Sequence, residues 1–174
     1  MQHLNCPNCS SEFVKRAQRT KSYERLLSAF YVYPFRCQVC GHAFKLFQLG
    51  IRYIRVDDDR REQTRVSVEC PAWLKKDIIK CEGTVVDLST SGCTMRVVSA
   101  PPVGSIVTVG LEIPDAPSPV TIEAAIVRNA NQGRVGLEFL KFYGDERHRL
   151  RHMIQGLMSR DAATAAATTS QSTT

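Results

Sequence analysis

Four of the seven cysteines in this 174-residue chain occur as two C-x-x-C pairs, Cys6/Cys9 and Cys37/Cys40. Each pair forms a tight knuckle whose two thiolates can face one ion. Two knuckles supply the four sulfurs that tetrahedral zinc takes in structural sites. Four thiolates leave no open coordination position, so the chemistry expected there is cross-linking and not catalysis. His3 and His42 are spare ligands that such a shell does not need. Cys70, Cys81 and Cys93 are isolated, lie in or beside strand-like segments, and read as small buried hydrophobes. An odd cysteine total, with no basic-then-apolar leader at Met1-Gln2-His3-Leu4, argues against a disulfide framework and makes the cytoplasm the expected compartment.

A second constellation lies further along. Arg61-Glu62-Gln63-Thr64-Arg65 is an R-x-x-x-R arm directly preceded by Arg60, and Asp87-Leu88-Ser89-Thr90-Ser91-Gly92 is a D-x-S-x-x-G turn. The two motifs, in this order and each beside a strand-like segment, resemble the PilZ domain, a bacterial receptor for cyclic di-GMP. The resemblance covers roughly residues 58–158. It implies a ligand with two guanines and two phosphates in one ring. Guanine's O6 and N7 match the planar fork of arginine, and the same fork pairs bidentately with phosphate. The resemblance thus carries ligand contact onto Arg61 and Arg65. It gives Asp87 the guanine N1–H and N2–H edge, Ser89 a hydroxyl for base or phosphate, and Gly92 a close backbone approach. Gly136, in Gly136-Leu137-Glu138-Phe139, matches a glycine of a late strand in the family. Arg60 would go with capture of two stacked ligands instead of one.

Stepping from these residues to what must hold them, residues 1–48 read as a zinc ribbon, with a basic stretch from Lys15 to Arg25 between the knuckles. Residues 49–59 read as a linker ending in Asp57-Asp58-Asp59, a like-charge run that should keep the following arm extended. Residues 60–158 carry short β-branched or alternating runs at 65–69, 84–87, 93–97, 106–109, 120–127 and 134–139, with a turn at 129–133. Six such strands predict a small antiparallel barrel. A helix then follows, with Leu150, Met153, Ile154, Leu157 and Met158 on its apolar face. Residues 159–174 have no apolar side chain larger than Ala to bury and read as a disordered tail.

The expected fold class is therefore mainly β, an antiparallel PilZ-like barrel with a C-terminal helix after an N-terminal zinc ribbon. No run of about 18 apolar residues appears, so no membrane insertion is expected. The net charge of +6 is uneven, with nine Lys/Arg against five Asp/Glu up to Asp59. No paired carboxylates, Ser–His–Asp order or phosphate-loop glycines point to an enzyme. The expected role is a cyclic di-GMP receptor or adaptor with structural zinc, acting on an unidentified protein target. The alternative is a ribbon that binds nucleic acid, with Tyr23, Phe30, Tyr31 and Tyr33 stacking on bases and the barrel regulatory or silent.

Overall fold

Runs of β-branched residues become strands here, and the turns between them decide which strands meet. The computed structural model describes residues 4–18, 22–49, 65–114, 116 and 118–169, with Ser22, Arg25 and 160–169 described by backbone alone. Arg60, Arg61, Asp57-Asp58-Asp59 and the rest of the 50–64 stretch lie outside the described residues. The chain divides into two compact units, Met1–Arg60 and Arg61–Thr174.

In the first unit β1 (Val14–Arg16), β2 (Val32–Cys37) and β3 (Ala43–Phe47) form an antiparallel sheet in that order, with helix α1 (Ser22–Ala29) between β1 and β2. Few of the described side chains are buried: Tyr33, Pro34 and Phe35 of β2, Glu24, and two of the cysteines. So small an apolar core cannot by itself offset the chain entropy of ordering the unit.

The second unit is a closed six-stranded barrel. Its strands are β4 (Val66–Lys76), β5 (Ile79–Ser89), β6 (Gly92–Val97), β7 (Ile106–Leu111), β8 (Val120–Asn131) and β9 (Arg134–Lys141). They run in the order β4-β5-β6-β9-β8-β7, and β4 closes onto β7 through Ala72↔Leu111 to Lys75↔Thr108. Closure leaves no unpaired edge. Inward residues alternate along each strand, and Leu74, Val85, Leu88, Met95, Val109, Leu111 and Ile122 are essentially sealed from solvent. Each such side chain contributes about 1.5–3 kcal/mol. Cys70 and Cys93 belong to this core. Burial first, then the Glu112 carboxylate, pushes the Cys70 thiol up to about 11, and burial likewise raises Cys93. Neither thiol is placed to react.

All six expected strands occur, with two differences in extent. The β4–β5 ladder is far longer than the runs at 65–69 and 84–87, reaching Lys76↔Ile79 across a two-residue tip, Asp77-Ile78. The expected turn at 129–133 is shorter. β8 continues to Asn131, which pairs Arg134, leaving Gln132 and Gly133 at φ 47° and 74° as the hairpin loop. Two successive positive φ angles suit the twist of a two-residue hairpin. The single tryptophan, Trp73, lies with its indole over Gly110 of the paired strand β7.

Helix α2 (Glu146–Thr169) adds Leu150 and Ile154 to the barrel core, with Met153 and Leu157 partly buried beside them. Met158, expected on the same face, is exposed. The helix also runs through 159–169, which the sequence marks as structureless tail. Ala162, Ala163, Ala165, Ala166 and Ala167 account for this difference. Alanine has the highest intrinsic helix propensity, and elongation from a packed first half needs no burial of its own.

Candidate functional site

The cysteine site is built from two knuckles with matching backbone bonds. In one, Ser10 N–H donates to the Cys6 carbonyl (2.8 Å) and Cys6 N–H to the Ser11 carbonyl (2.9 Å). In the other, Gly41 N–H donates to the Cys37 carbonyl (3.1 Å) and Cys37 N–H to the His42 carbonyl (2.9 Å). Ser10 and Gly41, each following the second cysteine, both have positive φ, 57° and 76°. Two unrelated stretches of sequence have reached one geometry.

All four sulfurs lie within 4.8 Å of one another. The Cys6–Cys40 and Cys9–Cys37 separations are both 3.6 Å. That is well beyond the roughly 2.05 Å of a disulfide. It is close to the roughly 3.8 Å edge of a tetrahedron with metal–sulfur bonds of about 2.3 Å. The donor set therefore fits a tetrahedral, thiophilic cation. The electrostatics agree. The His42 N–H, then the Asn8 side chain, draw the Cys40 thiol down to about 6. The Ser11 N–H works to lower Cys9, but desolvation and the three neighbouring sulfurs push it up to about 12. Four crowded thiols cannot all ionise without a cation among them. The Val39 N–H, 3.4 Å from Cys37 Sγ, points a further donor at the cluster.

The second site lies on the outer face of the barrel. Strand register places Ser67 opposite Asp87, Asp87 opposite Thr94, Thr94 opposite Gly136, and Gly136 opposite Asn129. These five residues make a row across β4, β5, β6, β9 and β8, each at least partly open to solvent. Register shifts interrupt the ladders beside the row, at Ser67/Cys70, Val85/Asp87 and Val127/Asn129. Bulges of this kind re-aim side chains and are common next to binding sites.

Arg65, the second arginine of the arm, stands at the start of β4 and places Nη1 3.1 Å from Asp87 Oδ1. The two motifs therefore meet in the fold. The Arg65 side chain is 68% exposed, so the pair contributes about 0–1 kcal/mol and is readily exchanged for another anion. Ser89 is placed otherwise than a free ligand hydroxyl would be. It is 3% exposed, donates from Oγ to the Gly92 carbonyl at 3.0 Å, and accepts from the Ser91 N–H at 3.4 Å. In this structure it shapes the turn.

The two glycines answer to packing. A Cβ on Gly92 would stand 2.2 Å from the Leu137 carbonyl oxygen of β9. A Cβ on Gly136 would stand 2.5 Å from Asn129 Oδ1, the atom that accepts the Gly136 N–H at 2.8 Å. Asn129 therefore lies flat against a bare stretch of β9, with its amide fixed. Ser67, Thr94 and Asn129 were missed by sequence reasoning. Only the strand register could have found them, and Asn129 was read as part of a turn.

The aromatic set proposed for base stacking also needs one correction. Tyr33 is 3% exposed and sits beneath the Arg16 guanidinium, 4.7 Å from its ring centre. Its ring is therefore unavailable to a base. Tyr23, Phe30 and Tyr31 are exposed.

A family model described as PilZ domain matches residues 59–156, more than half of the chain. Among solved structures, YcgR from Escherichia coli in complex with c-di-GMP is similar in fold, with a TM-score of 0.54 at 14% identity over 86% of this chain and 75% of that one. The PilZ domain of CeSA from a cellulose-synthesizing bacterium aligns with a TM-score of 0.46 at 16% identity, over 55% of this chain and 98% of its own. The Bacillus subtilis inhibitor of motility, MotI/DgrA, aligns at 0.47 and 11% identity, over 74% and 72%. No curated protein matches by sequence. The closed six-stranded barrel, the paired Arg65 and Asp87 and the family match lead to one conclusion: this chain belongs to the PilZ domain family.

Proposed function

We propose that the protein is a receptor for cyclic di-GMP that works as an adaptor and not as an enzyme. The observation that carries this reading is the contact between Arg65 and Asp87, which brings the arginine arm and the D-x-S-x-x-G turn to one place on the barrel. The YcgR structure, whose barrel has a similar fold, holds c-di-GMP. Binding exchanges partners. A ligand phosphate takes the Arg65 guanidinium, with Arg61 and Arg60 arriving from the preceding segment. Asp87 is released to accept from a guanine N1–H and N2–H edge. An exposed ion pair is a suitable resting state because little is lost when it opens. Ser89 and Gly92 hold the turn that aims Asp87, and Gly136 keeps the floor low.

The N-terminal unit is proposed as a zinc ribbon that serves as the interaction module. Cys6, Cys9, Cys37 and Cys40 would hold the ion, which supplies the cross-link that its small apolar core does not. Engagement of the arm would reposition this module and so present it to a protein target. Titrating cyclic di-GMP into the purified chain by calorimetry tests the reading. Heat of binding at micromolar ligand that disappears in Arg65→Ala is the expected result, and no binding at tens of micromolar would overturn it.

The nucleic-acid reading keeps one favourable observation. Lys45 Nζ lies 4.5 Å from the ring centre of the exposed Tyr23, giving a charged aromatic surface of the sort that stacks on bases. Retention of single-stranded DNA at moderate salt would favour it.

A further inference from the structure

The far end of the β4–β5 ladder has no part in either site. Lys76 at the hairpin tip stands nine residue steps along β4 from Ser67 in the polar row, or about 30 Å at about 3.3 Å per residue. The tip reads Lys75-Lys76-Asp77-Ile78-Ile79-Lys80. A two-residue hairpin loop ordinarily takes Gly, Asn or Asp. Asp77 meets that need with φ 53°, but Ile78 does not, and its side chain is 95% exposed. Ile79 is 70% exposed, and Val98 and Val103 of the β6–β7 connection are 101% and 61% exposed. The two loops stand side by side: Cys81 Sγ donates to the Ser99 carbonyl at 3.2 Å, and Lys76 Nζ to Ser105 Oγ at 3.2 Å. Between them is an open cleft of about 750 Å³.

We infer that this end of the barrel is a peripheral docking surface for an anionic lipid bilayer, with Ile78, Val98 and Val103 dipping into the interface and Lys75, Lys76 and Lys80 meeting the headgroups. Three observations support it. Ile78 and Val103 stand outside the cleft, and Val98, which lines it, is fully exposed on its rim. A peptide seated in the cleft would cover Val98 and leave Ile78 and Val103 in water, whereas an apolar phase laid over this end of the barrel can reach the side chains outside the cleft as well. Next, Lys75 and Lys80 are direct cross-strand partners. Like charges so placed repel unless anions lie over them. Glu82 offsets one of them, at 3.0 Å from Lys80 Nζ. Lastly, the tip from 75 to 80 carries three lysines against one aspartate. An apolar tip backed by lysines is the combination that holds proteins at negatively charged membrane surfaces. No helix among the described residues is long and apolar enough to cross a bilayer, so the contact is a surface one. Docking here leaves the polar row, at the opposite end of the same ladder, open to its ligand.

The test is flotation of the full chain with vesicles of phosphatidylcholine, with and without added phosphatidylglycerol. The wild type should float with the anionic vesicles, less so as salt rises, and weakly with phosphatidylcholine alone. Ile78→Ser with Val98→Ser should lower the partition coefficient about tenfold or more. Lys75→Ala with Lys80→Ala should lower it several-fold on anionic vesicles only, at about fivefold per lysine at most. All four positions are exposed, so melting temperatures should stay within a degree or two of wild type. Failure of the wild type to float overturns the proposal, as does undiminished flotation of the double serine variant. Flotation abolished by Phe30→Ser would move the contact to the N-terminal unit and overturn it as well. If an acidic, leucine-containing peptide saturates the chain while vesicles do not, the surface is a protein-docking cleft and the bilayer assignment is wrong.

Discussion

The cysteine knuckles and the polar row of the barrel solve opposite problems. In the N-terminal unit the site is the interior: Cys6 and Cys37 are among its few buried side chains, and the sulfurs occupy the place a core would take. In the barrel the interior is complete without any ligand. A continuous core from Val66 to Ile154 lies beneath a row that only decorates its outer face. The first site therefore couples its ligand to folding, and the second couples its ligand only to the partners of a few surface groups. On the proposed reading, the protein keeps one ion permanently while exchanging a nucleotide freely.

The sharpest way to break that contrast is at the metal. On the proposed zinc reading, Cys37→Ser removes one of four ligands, and metal binding free energies are on the order of 10 kcal/mol in comparable small units. The N-terminal unit should lose its dispersed amide resonances and the protein its one equivalent of zinc, while the barrel's β circular dichroism persists. Retention of an ordered N-terminal unit without metal would erase the distinction. Lowering the pH should have the same polarity. Protons compete for thiolates, so metal is released as pH falls and the N-terminal unit is destabilised with it, while the barrel is not.

Within the barrel, packing and binding should separate. Gly92→Ala forces a Cβ against the Leu137 carbonyl and should cost about 2–4 kcal/mol of barrel stability, read from denaturant unfolding. Arg61→Ala and Arg65→Ala should each cost about 2–4 kcal/mol in cyclic di-GMP affinity by calorimetry, with unfolding midpoints almost unmoved. Asp87→Ala should weaken guanine nucleotides specifically, and its effect on stability should stay within about 0.5 kcal/mol because the ion pair it breaks is exposed. If Asp87→Ala instead unfolds the barrel, the row is structural and the comparison fails. The smallest effect is one of counting. Arg60→Leu should bring a titration endpoint near two ligands per chain down to one without abolishing binding, and a wild-type endpoint of one would refute the role given to Arg60.

What could be read from the sequence follows from how local each feature is. The C-x-x-C pairs are local, since two thiolates three residues apart make a knuckle in almost any context, and all four sulfurs did converge. The strand cores at 84–87, 93–97 and 120–127 were legible because β-branched runs are. Residues 70–81 were not, since Pro71, Lys75, Lys76 and the Asp77-Ile78 tip carry neither a strand-like composition nor the usual turn glycine. They are held as strands by pairing with β7 and with each other. The polar row was the least legible part. It depends on three ladder irregularities that shift which residues stand abreast, and a shift of one position turns a side chain to the opposite face. Ser89 shows the same limit from the other side. A serine in the right motif position is visible, but whether its hydroxyl faces a ligand or its own turn depends on the fold.

The placement of Trp73 has a practical consequence for optical work on this protein. The N-terminal unit contains Tyr23, Tyr31, Tyr33 and Tyr53 but no tryptophan, whereas the barrel's indole lies over Gly110 with Lys80 Nζ 5.7 Å from its ring. Light absorbed selectively by indole therefore interrogates the barrel alone. Its emission should stay constant while metal is stripped from the other unit, and shift only when β4 parts from β7. Indole-selective excitation would follow the barrel half of the molecule by itself, without a label and without cutting the chain.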